Sequence, residues 1–103
     1  MKQIITLLSC IFFSAVTFAQ QIKGNVKDEK SNGINAASVL LHNSKDKSIT
    51  KILVTNAEGA FKFMDIPKGE YYVEINSLGY VAKQSAVFLV DGNDVVLTDF
   101  ILE

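Results

Sequence analysis

Arginine is absent from this 103-residue chain, and cysteine, histidine and proline occur once each, as Cys10, His42 and Pro67. Each shortage narrows what the chain can be. Proteins that grip nucleic acid show a basic stripe in which arginine is prominent. Here every cation is lysine, no five-residue window holds more than two of them, and the formal net charge is −1. A nucleic-acid partner is therefore not expected. A zinc site draws three or four ligands from His, Cys and carboxylates, and a catalytic nucleophile needs a base and an orienting acid beside it. One histidine and no usable thiol supply neither. No catalytic, metal-binding or cofactor-binding residue is expected, and the chain does not read as an enzyme.

Long apolar runs are also scarce. The longest spans Ile4 to Phe18, and it is interrupted by Thr6, Ser9, Ser14 and Thr17. A membrane-crossing helix takes about 20 strongly apolar residues, so this run is too short and too polar for one. It follows Met1-Lys2 and closes with Thr17-Phe18-Ala19 ahead of Gln20-Gln21, which is the layout of a helical secretory signal peptide with small residues at the cleavage site. Residues 1–19 are read as that signal, with Gln20 as the mature N-terminus. Leu7-Leu8-Ser9-Cys10 has the outline of a lipoprotein box, but apolar sequence should precede such a site and here it continues beyond it. The mature chain has 103 − 19 = 84 residues and no cysteine. One domain, residues 20–103, is the expectation. It would bury about 60–65% of its unfolded surface and be held by packing, without disulfides.

No helical periodicity appears after residue 19. Period-two alternation does, in short runs divided by turn signals. Ile22, Gly24 and Val26 alternate with lysines and Asn25 in a first strand, and Asp28 to Asn35 makes a polar turn around Asn32-Gly33. Ala36 to His42 is dense enough in apolar residues to suggest burial on both faces, and Ile49 to Val54 is a β-branched third strand. Asn56-Ala57-Glu58-Gly59 reverses the chain, and Phe61 and Phe63 flank Lys62 on a fourth strand. This short strand should point both rings inward and Lys62 outward. Pro67 and Gly69 form the next turn, and Tyr71, Val73 and Ile75 alternate along a fifth strand. Leu78-Gly79-Tyr80 reads as a bend that aims its aromatic back at the core. Ala82 to Val90 and Val95 to Leu102 are the sixth and seventh strands, the last with a β-bulge near Thr98-Asp99 to reset its phase. Seven short strands predict an all-β, antiparallel sandwich.

Four places invite a functional reading. His42 closes an apolar strand and reads as structural or solvent-facing. Asp91-Gly92-Asn93-Asp94 resembles part of a calcium loop but lacks the downstream bidentate Glu, so it reads as a hairpin turn. Asp28-Glu29-Lys30 reads as a solvated loop. Tyr71, Tyr72 and Tyr80 could make an aromatic platform for carbohydrate. Only Tyr72 points outward by alternation, however, and a stacking platform needs more than one ring. Tyr71 and Tyr80 are therefore read as core residues with their hydroxyls at the rim.

Taken in order, Ile22-x-Gly24-x-Val26, Gly33-Ile34, Ala37-Ser38-Val39, Thr55-Asn56, Gly59-x-Phe61-x-Phe63, Ile66-Pro67-x-Gly69-x-Tyr71 and Gly79-Tyr80 resemble the carboxypeptidase regulatory-like domain across nearly all of residues 20–103. Asn35 departs from the Pro or Gly more usual there. The resemblance implies a Greek-key, transthyretin-like (prealbumin-like) sandwich without the catalytic residues of a carboxypeptidase. It also implies a setting: exported, in the periplasm, at the N-terminus of a TonB-dependent outer-membrane receptor or related β-barrel protein of Bacteroidetes type. On this reading the chain looks like a fragment or stand-alone remnant, a non-catalytic accessory domain. Its partner would be another protein or the missing plug and barrel. The alternative is a stand-alone secreted module binding carbohydrate or protein.

Overall fold

The computed structural model describes residues 21–103; the signal-peptide reading of residues 1–19, with Cys10 and the mature terminus at Gln20, lies outside them. The described residues form β1 (Gln21–Asp28), β2 (Ser38–Asn43), β3 (Ile49–Val54), β4 (Ala60–Met64), β5 (Gly69–Asn76), β6 (Lys83–Gln84), β7 (Phe88–Val90), β8 (Val95–Val96) and β9 (Phe100–Leu102), and no helix. One sheet runs β4-β1-β8, with β9 also on β1; the other runs β3-β2-β5-β6, with β7 also on β5. The two layers enclose one core.

The nine segments are the seven expected strands with the last two each broken once. The sixth is interrupted where Ser85 takes over part of the ladder: its hydroxyl accepts from the Val73 N–H at 2.9 Å while its own N–H donates to the Val73 carbonyl. The seventh breaks at Leu97 to Asp99, where the bulge was expected, and both pieces stay on β1. One expectation needs correcting, because β8 and β9 run parallel to β1. Every connection in this sandwich reverses the chain, so the first and seventh strands share a direction. When those two become neighbours their pairing has to be parallel.

The alternation predicts the core well. Ile22 and Val26 on β1, Val39 and Leu41 on β2, Phe61 and Phe63 on β4, and Tyr71, Val73 and Ile75 on β5 are all buried, while Lys62 is exposed. Gly24 stands directly across from Phe61, whose ring fills the space a side chain on β1 would need: a Cβ there would lie 2.4 Å from the ring. The expected burial of β2 on both faces fails, since Leu40 is only half-buried, and on the neighbouring β3 Ile49, Ile52 and Val54 are exposed. The second sheet is covered on one face only, and β3 is its edge.

The turn residues do local bonding work. The Asn56 side chain accepts from the Glu58 and Ala60 N–H groups at 3.0 and 2.9 Å, and Gly59 takes φ +79° to close the turn. Asp28 does the same for its own loop, accepting from Lys30 and Asn32. The Asn32 N–H is the main reason its carboxyl titrates below the usual range, with the Lys30 N–H and charge adding to it. Thr55 is the buried polar side chain of the core margin, at 3% exposure. Its hydroxyl donates to the Ile34 carbonyl at 2.6 Å and accepts from the Ala37 N–H at 2.9 Å, and its backbone carbonyl accepts from Ala36. This clasp holds Ala36 at φ +62°, a conformation unfavourable for any residue with a Cβ. Thr55→Val keeps the shape and orphans both backbone groups, so it is expected to cost about 2 kcal/mol. Thr55→Ser retains most of that, and the urea midpoints of the two variants make the comparison.

Candidate functional site

His42 lies on the outer face of the second sheet, on β2 across from β5. Its Nε2 is 2.8 Å from Glu74 Oε1 and its Nδ1 is 3.1 Å from the Lys47 carbonyl oxygen. The ring stacks on Tyr72 with centroids 4.8 Å apart and planes 5° from parallel. An acid does sit beside the imidazole, as a catalytic histidine would require, but both ring nitrogens face acceptors of the fold itself. Neither is left to serve a nucleophile. The arrangement locks β2 to β5.

The three tyrosines are separated. Tyr71 is buried and donates to the Pro67 carbonyl at 2.8 Å, and burial raises its hydroxyl above the ordinary phenol range. Tyr72 has one face covered by His42. Tyr80 is 37% exposed instead of packed in the core. It sits in a turn closed by its own N–H on the Ser77 carbonyl, with Gly79 at φ +88°, and that left-handed residue swings Leu78, Tyr80 and Val81 outward. The segment Asp91 to Asp94 links the two sheets, so it is a crossover and not a hairpin turn. Asp94 accepts from the Gln21 N–H at 3.0 Å and thereby seats the start of β1. Among the described residues no group of three or more His, Cys, Asp or Glu side chains is placed to hold a metal ion.

What the fold leaves open is its edges, and the two sides differ. On one side lie β6/β7 and β8/β9, strands of two or three residues with breaks between them. A groove of about 450 Å³ runs there, lined by residues 83–88 and 97–101. On the other side lie β3 and β4, six and five residues long and unbroken. A groove of about 680 Å³ joins them, lined by Leu53 and Val54 of β3, Phe61 and Lys62 of β4, and Lys23 of β1.

The hydrogen-bond alternation identifies which edge groups are free. Thr55 N–H bonds back to Ala37, so in the strand it continues Leu53 and Lys51 also face β2. The N–H and C=O of Ile52 and Val54 then point away from the sheet, and before them the register shift between Leu41 and His42 breaks the alternation at Thr50. On β4 most of the equivalent groups are taken. Asn56 engages both Ala60 groups, and Lys51 Nζ donates to the Met64 carbonyl at 2.9 Å. Lys51 is thus an inward-pointing cation bridging from one sheet edge to the other. Nothing in the sequence marked β3 as this edge.

The model of the carboxypeptidase regulatory-like domain family matches residues 21–103. No curated protein sequence matches the chain. Among solved structures, the major pilin subunit of Bacillus cereus superposes at TM-score 0.67 with 20% identity, over 82% of this chain and 28% of that one. An interface mutant of the type II cohesin–X-dockerin complex from Acetivibrio cellulolyticus gives TM-score 0.64 and 18% identity, over 81% and 56%. Klebsiella pneumoniae 5-hydroxyisourate hydrolase gives 0.60 and 15%, over 80% and 84%. At these identities the likeness is one of fold. The chain spans less than two thirds of the first two chains. Because one of the three is an enzyme, the fold alone does not decide between catalysis and binding.

Proposed function

The chain belongs to the carboxypeptidase regulatory-like domain family over residues 21–103, and from that premise we propose that it is a non-catalytic interaction domain which offers a sheet edge to a protein partner outside the cytoplasm. The observation that carries this reading is the free edge of β3. Ile52 and Val54 there turn their backbone groups away from β2, and they are 62% and 60% exposed. Strand edges of this kind are a hazard unless shielded or used, and main-chain pairing with an added strand is a common mode of peptide recognition.

The finer setting rests on family membership together with the export-type sequence of residues 1–19. In that setting the domain lies in the periplasm at the N-terminus of a TonB-dependent outer-membrane receptor, next to its plug and barrel. The pilin and cohesin–dockerin neighbours support a role in protein contacts by precedent of fold. Reading the gene past Glu103 separates this setting from a stand-alone secreted module: an open frame into a plug and amphipathic strands favours the receptor, a stop codon the module. In the receptor, deletion of the codons for residues 22–102 is expected to leave barrel assembly intact and to weaken uptake or partner recruitment. Normal uptake with unchanged co-purifying partners would sink the interaction role.

A further inference from the structure

Asn32 is the asparagine of this chain that stands directly before a glycine; Asn25, Asn35, Asn43, Asn56, Asn76 and Asn93 are all followed by residues with a Cβ. Asparagine is thermolabile, and a following glycine leaves the approach of its own backbone nitrogen to the asparagine side chain unhindered. The fold keeps this pair open. Asn32 and Gly33 are both exposed. The bridge between Lys27 and Gly33 is flanked by the Asp28 N–H on the Asn32 carbonyl and the Ile34 N–H on the Val26 carbonyl, each at 2.9 Å. Lys27 and Gly33 are then the non-hydrogen-bonded pair, and among the described residues the Gly33 N–H has no backbone acceptor. The fold also fixes the pair, because a Cβ on Gly33 would lie 2.1 Å from the Glu58 carbonyl oxygen. Asn43 and Asn56 differ in a second way: their side-chain oxygens are held by N–H groups of their own turns.

We infer that Asn32 is a site of spontaneous deamidation, and that the reaction unfastens the loop after β1 from the turn between β3 and β4. The Gly33 nitrogen, its proton lost to hydroxide, attacks Asn32 Cγ. A Cγ–N bond forms, the Cγ–Nδ2 bond breaks, and ammonia leaves from a cyclic imide. Water then opens the ring. Attack at Cγ restores the normal backbone with aspartate at 32; attack at the α-carbonyl routes the chain through Cγ as isoaspartate. One water enters and one ammonia departs, with no oxidant or reductant. On the isoaspartyl route an extra carbon enters the backbone, and the carbonyl that accepts from Asp28 becomes a carboxylate. It arises beside Asp28, whose own carboxylate is supported chiefly by the Asn32 N–H and also by the Asn32 side chain, so like charges meet where a donor stood. The lengthened segment also moves Gly33 against Glu58 and strains the Ile34 bond to Val26, the residue whose N–H donates to Gly59 at 2.7 Å.

The test is to age the full chain, folded and separately in concentrated urea, at neutral and mildly alkaline pH in water enriched in heavy oxygen. Peptide mapping by mass spectrometry locates each amide converted to an acid, and electron-transfer fragmentation distinguishes the two linkages. Acid at residue 32 ahead of every other asparagine, carrying heavy oxygen in both linkages and forming faster at the higher pH, is expected in the folded chain as well as in urea. Asn32→Gln keeps the backbone bonds of the loop and should abolish the reaction there, since its longer side chain closes a less favourable ring. Asn32→Asp adds the charge without the altered linkage, so the isoaspartyl fraction should unfold at lower urea than that variant. Reaction in urea but not in the folded chain means that the fold shields Asn32 and overturns the inference, as does no reaction in either state. An isoaspartyl fraction as stable as Asn32→Asp overturns the effect on the loop.

Discussion

Phe63→Ala is expected to destabilise the domain by about 3–5 kcal/mol, and Lys62→Ala, one residue away, by about 0.5 or less. Phe63 is 1% exposed, sits opposite Ile22 in the β1–β4 ladder and meets Phe61 edge-on with centroids 5.9 Å apart. Phe61 in turn approaches Phe100 on β9. Removing the Phe63 ring leaves a hole in the one place where β1, β4 and the last strand share aromatic packing. With no disulfide among the described residues, nothing else there offsets the loss. A domain of this size holds roughly 4–12 kcal/mol in all, so the variant loses a large fraction of its stability, and nearly all of it at the lower end of that range. Lys62 lies on the solvent face, and removing it even eases the repulsion with Lys23. Urea unfolding followed by far-UV circular dichroism measures both, and equal effects would reject the strand register.

Gly59→Ala is expected to cost about 3–4 kcal/mol, through backbone geometry and without any loss of apolar area. Gly59 has φ +79°, and a Cβ there would sit 2.2 Å from the Val26 carbonyl oxygen and 2.9 Å from the Gly33 Cα. Those contacts are backbone atoms that cannot step aside. Gly33 faces the same constraint in return, since its Cβ would lie 2.1 Å from the Glu58 carbonyl oxygen. The two glycines let the loop after β1 cross the β3–β4 turn, where the Val26 N–H donates to the Gly59 carbonyl at 2.7 Å and the Ile34 N–H to the Val26 carbonyl at 2.9 Å. Shifting either segment breaks the Val26–Gly59 bond that joins them. Gly92→Ala is the control: it also has positive φ, but nothing lies within 4 Å of its Cβ position, so it should cost about 1 kcal/mol from conformation alone. If thermal unfolding shows Gly59→Ala no worse than Gly92→Ala, the crossing is not as tight as described.

These two effects also show what kind of information each residue carried. The inward placement of Phe61 and Phe63 was legible because alternation is a property of the strand itself. The need for glycine at 59 was legible as a turn, but its contact with Gly33 was not, because 26 positions separate them in sequence. Tyr80 illustrates the same limit. An aromatic beside a glycine reads as core, yet the left-handed conformation of Gly79 turned it toward solvent.

From the sequence alone come the all-β class, the positions of most strands, the turns at Asn56–Gly59 and Pro67–Gly69, the core residues of β1, β4 and β5, and the family resemblance. All of these rest on short-range patterns: period two, turn chemistry and fixed spacing. Only the tertiary structure decided that the last strand runs parallel to the first, that β3 is an edge, and that Lys23 faces Lys62. A strand has the same alternation whether or not a neighbour covers its second edge, and two lysines 39 residues apart become opposed only when β1 and β4 pair in one register. The candidate site is made of such long-range choices, which is why it appears in the fold and not in the chain.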